Sequence, residues 1–188
     1  EAARKRVHED RGRYMAILTG VSTVLADNPQ LTCRIPGGKN PIRVIADTKL
    51  RTPLSSTVVQ TARETPTWIV TAVSDAGRKK AYEDAGCRVL SVPAKEGELD
   101  LQAMMQRLGE EKVDSVMVES GGTLAWSFLK AGLVNRVQAY IAPMIFGGAG
   151  APTPVRGTGV DAPPEAFLLK KPEAVWLGED LLLEYEVS

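Results

Sequence analysis

Histidine is almost missing: His8 is the only one in 188 residues. A metal centre of several imidazoles, a Ser-His-Asp triad and a Cys-His dyad are therefore not expected. Cysteine is scarce as well. Cys33 and Cys87 stand far apart with no partners at metal-ligand spacing, which reads as two free thiols and a cytoplasmic setting, with no metal. Net charge is absent, since 23 basic residues cancel 23 acidic ones. No broad positive field would draw nucleic acid or an anionic membrane, so any anionic ligand must be held locally. The longest charge-free stretch, Val137 to Val155, is broken by Pro143, Pro152 and Pro154, which excludes a membrane-spanning helix. A secretory signal, an internal repeat and a linker able to divide the chain are also lacking. So is the His-x-Glu and Pro-Cys-x-x-Cys pair that a zinc nucleobase deaminase needs, and no deaminase domain is expected in this sequence.

What is present is a chain with 44% apolar and 24% charged side chains, enough for one core and one domain over residues 1–188. Ala2 to Arg11 reads as a solvated helix ended by Gly12. Buried-strand runs follow at Tyr14–Leu18, Ile42–Ala46, Thr67–Thr71, Arg88–Val92 and Ser115–Val118. Helical stretches alternate with them at Val21–Ala26, Asp75–Ala85, Leu99–Leu108 and Gly122–Ala131; Leu101, Met104, Met105 and Leu108 are spaced for one face. Beyond Arg136 the pattern turns strand-rich, with Val137–Ile141, Ala174–Leu177 and Leu181–Val187. Alternation followed by a strand-rich tail predicts an α/β fold with a mixed sheet.

Two segments carry the chemistry. In Val118-Glu119-Ser120-Gly121-Gly122-Thr123-Leu124-Ala125-Trp126 a buried strand runs through a carboxylate and a glycine pair into a helix. Glycines let a ligand approach the backbone, the helix start offers unpaired N–H groups, and Thr123 and Ser127 add hydroxyls, so a dinucleotide pyrophosphate would fit. A tight strand-to-helix turn would use the same spacing. The second segment, Leu18 to Arg34, gathers hydroxyls, Asp27 and Arg34 around a strand end. Arg34 could pair with a phosphate and Asp27 with a hydroxyl, although by themselves they read first as a surface arginine and a helix-stopping turn. Gly157-Thr158-Gly159-Val160-Asp161-Ala162 has the letters of a dinucleotide fingerprint, but no strand leads into it and Pro163-Pro164 follow it.

Together these pieces resemble the reductase half of the bacterial bifunctional deaminase/reductase of riboflavin biosynthesis, the RibD type. The resemblance rests on Ala16-Ile17-Leu18-Thr19-Gly20, Thr23 to Pro29, Leu31-Thr32, Ile45-Ala46-Asp47 and Glu119 to Ala125. Tyr140-Ile141-Ala142-Pro143, Gly147-Gly148, Ala151-Pro152-Thr153 and Gly178-Glu179-Asp180-Leu181 extend it. It implies a dihydrofolate-reductase-like fold, a mixed central sheet flanked by helices with a strand-rich C-terminal part. It also implies NADPH-dependent reduction of a phosphoribosylamino-pyrimidine to its ribitylamino form. By the same resemblance Thr23, Asp27, Thr48 and the stretch Gly121, Gly122, Thr123, Leu124, Ala125, Trp126, Ser127 would contact the cofactor. Arg11, Leu31, Arg34 and Glu119 would contact the substrate. No proton donor is identified. Thr48, Lys49 and Arg51 are candidates for the cofactor's 2′-phosphate, or simply an exposed loop.

The sequence departs from that family in lacking its first strand, a Ser-Leu-Asp-Gly-like segment, and the Trp loop after it. That strand would be central, so its omission is expected to leave backbone groups unpaired. A non-catalytic nucleotide-binding domain, and a related pyrimidine or dihydrofolate reductase, remain as other readings. Apolar strands near the C-terminus favour a homodimer.

Overall fold

Short apolar runs bounded by Gly, Pro or Asp become strands of a wholly parallel sheet in the computed structural model, which describes residues 1–148 and 150–188. In chain order these are β1 (Ala16–Gly20), β2 (Ile42–Ala46), β3 (Thr67–Thr71) and β4 (Arg88–Ser91), then a two-stranded hairpin, β5 (Ala94–Lys95) and β6 (Glu98–Leu99), and β7 (Val116–Val118). The five-stranded sheet has the order β4-β3-β2-β1-β7, with every pairing parallel. Parallel strands need helical crossovers, and α2 (Val21–Asp27), α3 (Thr57–Gln60), α4 (Ala76–Asp84) and α5 (Leu101–Glu110) lie in the connections. These elements fall in one unit, His8–Gly121. Its core packs Ile17, Ile45 and Ile69 against Val24, Val58 and Tyr82.

The first helix, α1 (Ala2–Arg13), runs two residues past Arg11, so Gly12 does not end it. A Cβ at Gly12 would stand 3.2 Å from the Cys33 sulfur; the glycine admits the following loop rather than stopping the helix. The Tyr14 N–H still bonds to the Asp10 carbonyl at 3.1 Å, which delays the first strand to Ala16. In α5, Met104 and Leu108 are fully buried, as their spacing predicted, and the Asp100 carboxylate caps the helix by accepting from the Ala103 N–H at 3.1 Å.

Arg43 is the largest fully buried side chain. Its guanidinium donates to the carbonyls of Gln30, Thr61 and Thr65 and to the Thr61 hydroxyl, at 2.8 to 3.2 Å. One side chain thus ties the segment after α2 to the end of α3 and the approach to β3.

The second unit joins Glu1–Val7 to Gly122–Ser188. It holds α6 (Gly122–Lys130), β8 (Arg136–Ile141), a 3-10 turn at Pro163–Glu165, β9 (Leu169–Leu177) and β10 (Asp180–Val187). The strands form an antiparallel sheet in the order β8-β10-β9. The mixed character expected of one sheet is therefore divided between a parallel and an antiparallel sheet. Strand β9 starts five residues before the expected Ala174 because Pro172 is tolerated on an edge, beside a register shift at Glu184/Glu186 and with Lys171 at φ 50°. Glu184, only 9% exposed, accepts from Arg6 at 3.3 Å and from Gln138 at 2.7 Å.

Candidate active site

In an open parallel sheet, ligands bind beyond the carboxyl ends of the strands. Within the His8–Gly121 unit, those ends carry the residues singled out from sequence: Thr23 and Asp27 on α2 after β1, Thr48 after β2, and Glu119 to Gly121 after β7. Asn28 sits in the left-handed region at φ 42°, its N–H bonded to the Val24 carbonyl at 3.0 Å. Its side-chain oxygen accepts from the Thr57 N–H at 2.7 Å. The Asp27-Asn28-Pro29 turn therefore stops α2, and it fixes where Asp27, itself exposed, stands.

Arg11 and Glu119 form a two-pronged pair: Nε to Oε1 at 2.8 Å and Nη2 to Oε2 at 2.6 Å. Their side chains are only 13% and 24% exposed, which limits screening by water. The third nitrogen, Nη1, donates to the Thr32 carbonyl at 3.1 Å. Two of the four expected substrate contacts thus neutralise one another, and a ligand phosphate would compete with a carboxylate for Arg11. Leu31 is 3% exposed and belongs to the core, so it can offer a ligand only its backbone, held at φ 53°. Arg34 is the exposed cation of the group.

His8, which lies outside both chemistry-bearing segments, faces Arg34. Its Nδ1 stands 3.3 Å from the Arg34 N–H nitrogen and its Nε2 3.3 Å from Arg34 Nε. The Cys33 thiol donates to the His8 carbonyl at 3.1 Å. Burial lowers the His8 pKa from 6.5, as do the Arg11 and Arg34 charges, against the Thr32 carbonyl and Glu119. The available signal in the sequence was that His8 is unique and lies three residues before Arg11, hence on the same helix face.

The glycine pair divides its work. A Cβ at Gly121 would meet nothing within 4 Å, leaving room for a ligand. One at Gly122 would lie 2.7 Å from the Thr153 carbonyl oxygen and 2.8 Å from the Arg156 nitrogen, and the Arg156 N–H donates to the Gly122 carbonyl at 2.9 Å. The chain's own backbone accounts for Gly122. Trp126 is covered likewise: Gly157 abuts its ring and Phe167 packs edge-on at 5.6 Å. The Gly157 stretch is thus a packing element, with no α-helix after it. Ser127 donates to the Thr123 carbonyl at 3.0 Å, while Thr123 is exposed and Leu124 and Ala125 half-buried.

Thr48 donates to Glu98 Oε2 at 3.1 Å, and Arg78 holds the loop beside it through the Lys49 and Leu50 carbonyls at 2.6 and 3.1 Å. Neither Glu98 nor Arg78 was visible as a site residue, because only the fold brings the β5–β6 hairpin and α4 to the end of β2. A depression of about 400 Å³ lined by Pro66, Thr67, Trp68 and Arg88 lies at the amino ends of β3 and β4, opposite to the ligand side. Among the described residues no group of His, Cys, Asp or Glu could hold a metal, and no helix is long and apolar enough to cross a membrane.

The family model "RibD C-terminal domain" matches residues 1–183. A riboflavin biosynthesis protein RibD from Actinobacillus pleuropneumoniae is 44% identical over all of this chain and 50% of its own length. A 2,5-diamino-6-ribosylamino-4(3H)-pyrimidinone 5′-phosphate reductase from Methanothermobacter thermautotrophicus is 40% identical over 98% of this chain and 85% of its own. The chain spans about half the length of the RibD relatives it matches, 50% and 49%. Among solved structures, Acinetobacter baumannii RibD superposes with a TM-score of 0.84 at 24% identity, covering 100% of this chain and 51% of that one. A deaminase/reductase from Thermotoga maritima gives 0.75 at 28%, covering 100% and 49%. The dihydrofolate-reductase-like fold expected from sequence is borne out by these neighbours. The chain belongs to the RibD C-terminal domain family.

Proposed function

We propose that this chain is an NADPH-dependent reductase that converts 5-amino-6-(5-phosphoribosylamino)uracil to 5-amino-6-(5-phosphoribitylamino)uracil in riboflavin biosynthesis. The observation that carries the reading is the 44% identity over all of this chain to a RibD relative, beside a 28% identical Thermotoga maritima structure whose name includes 5-amino-6-(5-phosphoribosylamino)uracil reductase. Residues 1–188 act as one reductase domain in this reading. Among the described residues the outer edge of β7 pairs with no strand, and Val118 on it is 36% exposed. An apolar edge of that kind is ordinarily covered, and a further strand would complete it.

The residues present fit the cofactor, because Gly121 leaves the approach to the backbone open and the first N–H groups of a helix favour phosphate. Within the His8–Gly121 unit, Thr23, Asp27, Thr48 and Gly121 would hold it. When bound, NADPH supplies the hydride that reduces the sugar C1 carbon. The chain's own work is to bind, orient and shield from water. Arg34 meets the substrate phosphate, Glu119 accepts from polar groups of the pyrimidine or sugar while anchored by Arg11, and the Leu31 backbone borders them. A cytoplasmic homodimer belongs to the same reading, with Trp176, 71% exposed on β9, as a contact that light scattering would test.

The experiment is NADPH oxidation followed by absorbance with the deaminated and the undeaminated pyrimidine. Turnover of the first supports the reading. Turnover of the second alone would place reduction before deamination, a second reading favoured by the diamino-pyrimidinone named for the Methanothermobacter relative. NADPH binding without turnover of either would leave a binding module.

A further inference from the structure

We infer that His8 is a positioning residue: its neutral imidazole holds the Nε edge of Arg34 and thereby presents the terminal guanidinium nitrogens to a phosphate ester. The inference rests on the reductase reading for the identity of that ester. Arg34 is exposed, and a free arginine side chain keeps rotamer entropy that binding would have to overcome. Here the entropy is already reduced. The segment Thr32 to Arg34 is tied to α1 by the Arg11 bond to the Thr32 carbonyl at 3.1 Å, the Cys33 thiol on the His8 carbonyl at 3.1 Å and the ring facing Arg34 at 3.3 Å.

The ring contacts decide the protonation state. Both nitrogens of His8 face N–H groups of Arg34. A neutral ring accepts at one nitrogen; an imidazolium accepts at neither and meets Arg34 as a like charge. With the ring proton on Nδ1, Nε2 accepts from Nε–H of Arg34 at 3.3 Å; in the other tautomer Nδ1 accepts from the Arg34 backbone N–H. The charged groups acting on the ring are Arg11 on α1, Arg34 itself and Glu119 after β7; Cys33 is bonded to the His8 backbone. Nη1 and Nη2 of Arg34 are left pointing at no acceptor among the described residues, in the fork that suits a phosphate.

The test uses the whole chain and the phosphate-bearing pyrimidine. His8→Ala should raise KM for that substrate roughly tenfold, the weight of one hydrogen bond to a charged group, with kcat and the KM for NADPH unchanged. His8→Gln, whose amide oxygen can accept where Nε2 does but cannot titrate, should restore KM near neutrality. Wild-type KM should then rise relative to the Gln variant as pH falls below 6.5, a ratio from which the ionisation of the substrate's own phosphate cancels. The riboside lacking the phosphate should not distinguish the three proteins. An equal loss with that riboside, or no rescue by Gln, would overturn the inference as a merely structural effect. If wild type reduces neither pyrimidine, the reductase reading has failed while the inference stays measurable. Ribose 5-phosphate should shift the single imidazole's NMR signals in wild type but not in Arg34→Gln, and an unmoved wild-type ring would sink it.

Discussion

Alanine at Gly121 and alanine at Gly122 should do opposite things, although the residues are neighbours in one motif. At Gly122 the new methyl group would stand 2.7 Å from the Thr153 carbonyl oxygen and 2.8 Å from the Arg156 nitrogen. Both are backbone atoms that cannot rotate away. Overpacking of this kind costs about 1–3 kcal/mol, and alanine's better helix propensity returns at most about 1 kcal/mol at the start of α6. A net loss of about 1–2 kcal/mol lowers the melting temperature of a chain this long by roughly 2–8 °C. At Gly121 nothing lies within 4 Å, so stability should hold within about 0.5 kcal/mol while the methyl group blocks the cofactor's approach. Calorimetry on both variants, with and without NADPH, reads both effects. Wild type and Gly122→Ala should be stabilised by the cofactor, and Gly121→Ala should not. Equal melting temperatures for the two variants, or an undiminished NADPH-induced rise in Gly121→Ala, would refute the division of roles.

Arg43→Met should destabilise the chain by about 3 kcal/mol or more, because it strands carbonyls that the buried guanidinium now satisfies; a urea midpoint unchanged from wild type would contradict this. Glu119→Gln should cost about 1 kcal/mol of stability by loosening the forked bond to Arg11, and should weaken substrate binding more than NADPH binding in steady-state kinetics. Burial pushes the Cys87 thiol up to about 11, so iodoacetamide at mildly alkaline pH should label Cys33 alone, as mass spectrometry of the intact chain would show. The sign for stability follows: the native state resists forming the Cys87 thiolate, so its contribution is complete below the ordinary value of 9.0 and is lost as pH rises toward about 11.

The parallel half of the fold was legible because its strands are apolar runs closed by Gly, Pro or Asp, and a strand buried on both faces writes itself that way. The candidate site residues at the carboxyl ends came from the family resemblance, since a strand's end shows where its run stops but not which side chain meets a ligand. What escaped were features created by contacts distant in sequence. The extension of β9 through Pro172 depends on its being an edge strand beside a register shift, and no local signal marks an edge. Gly12 looked like a helix stop because glycine usually is one, whereas its role is set by Cys33.

The candidate site shows the same limit more sharply. The residues supplied Arg34 and the family resemblance added Arg11 and Glu119, but a charge's availability depends on its partner, and the partner of Arg11 lies 108 residues away. Once Arg11 and Glu119 are paired, the three residues cease to be equivalent. Glu119 is oriented by Arg11, and Arg11 in turn fixes the Thr32 carbonyl. Among the described residues Arg34 is left as the member whose fork has no partner, beside the chain's sole histidine. Arg34→Gln should therefore weaken phosphate binding with little loss of stability, whereas Arg11→Gln should lose both, because it leaves a half-buried carboxylate without its cation. A chain in which the two substitutions lowered the melting temperature equally would show that the pairing does not order the site.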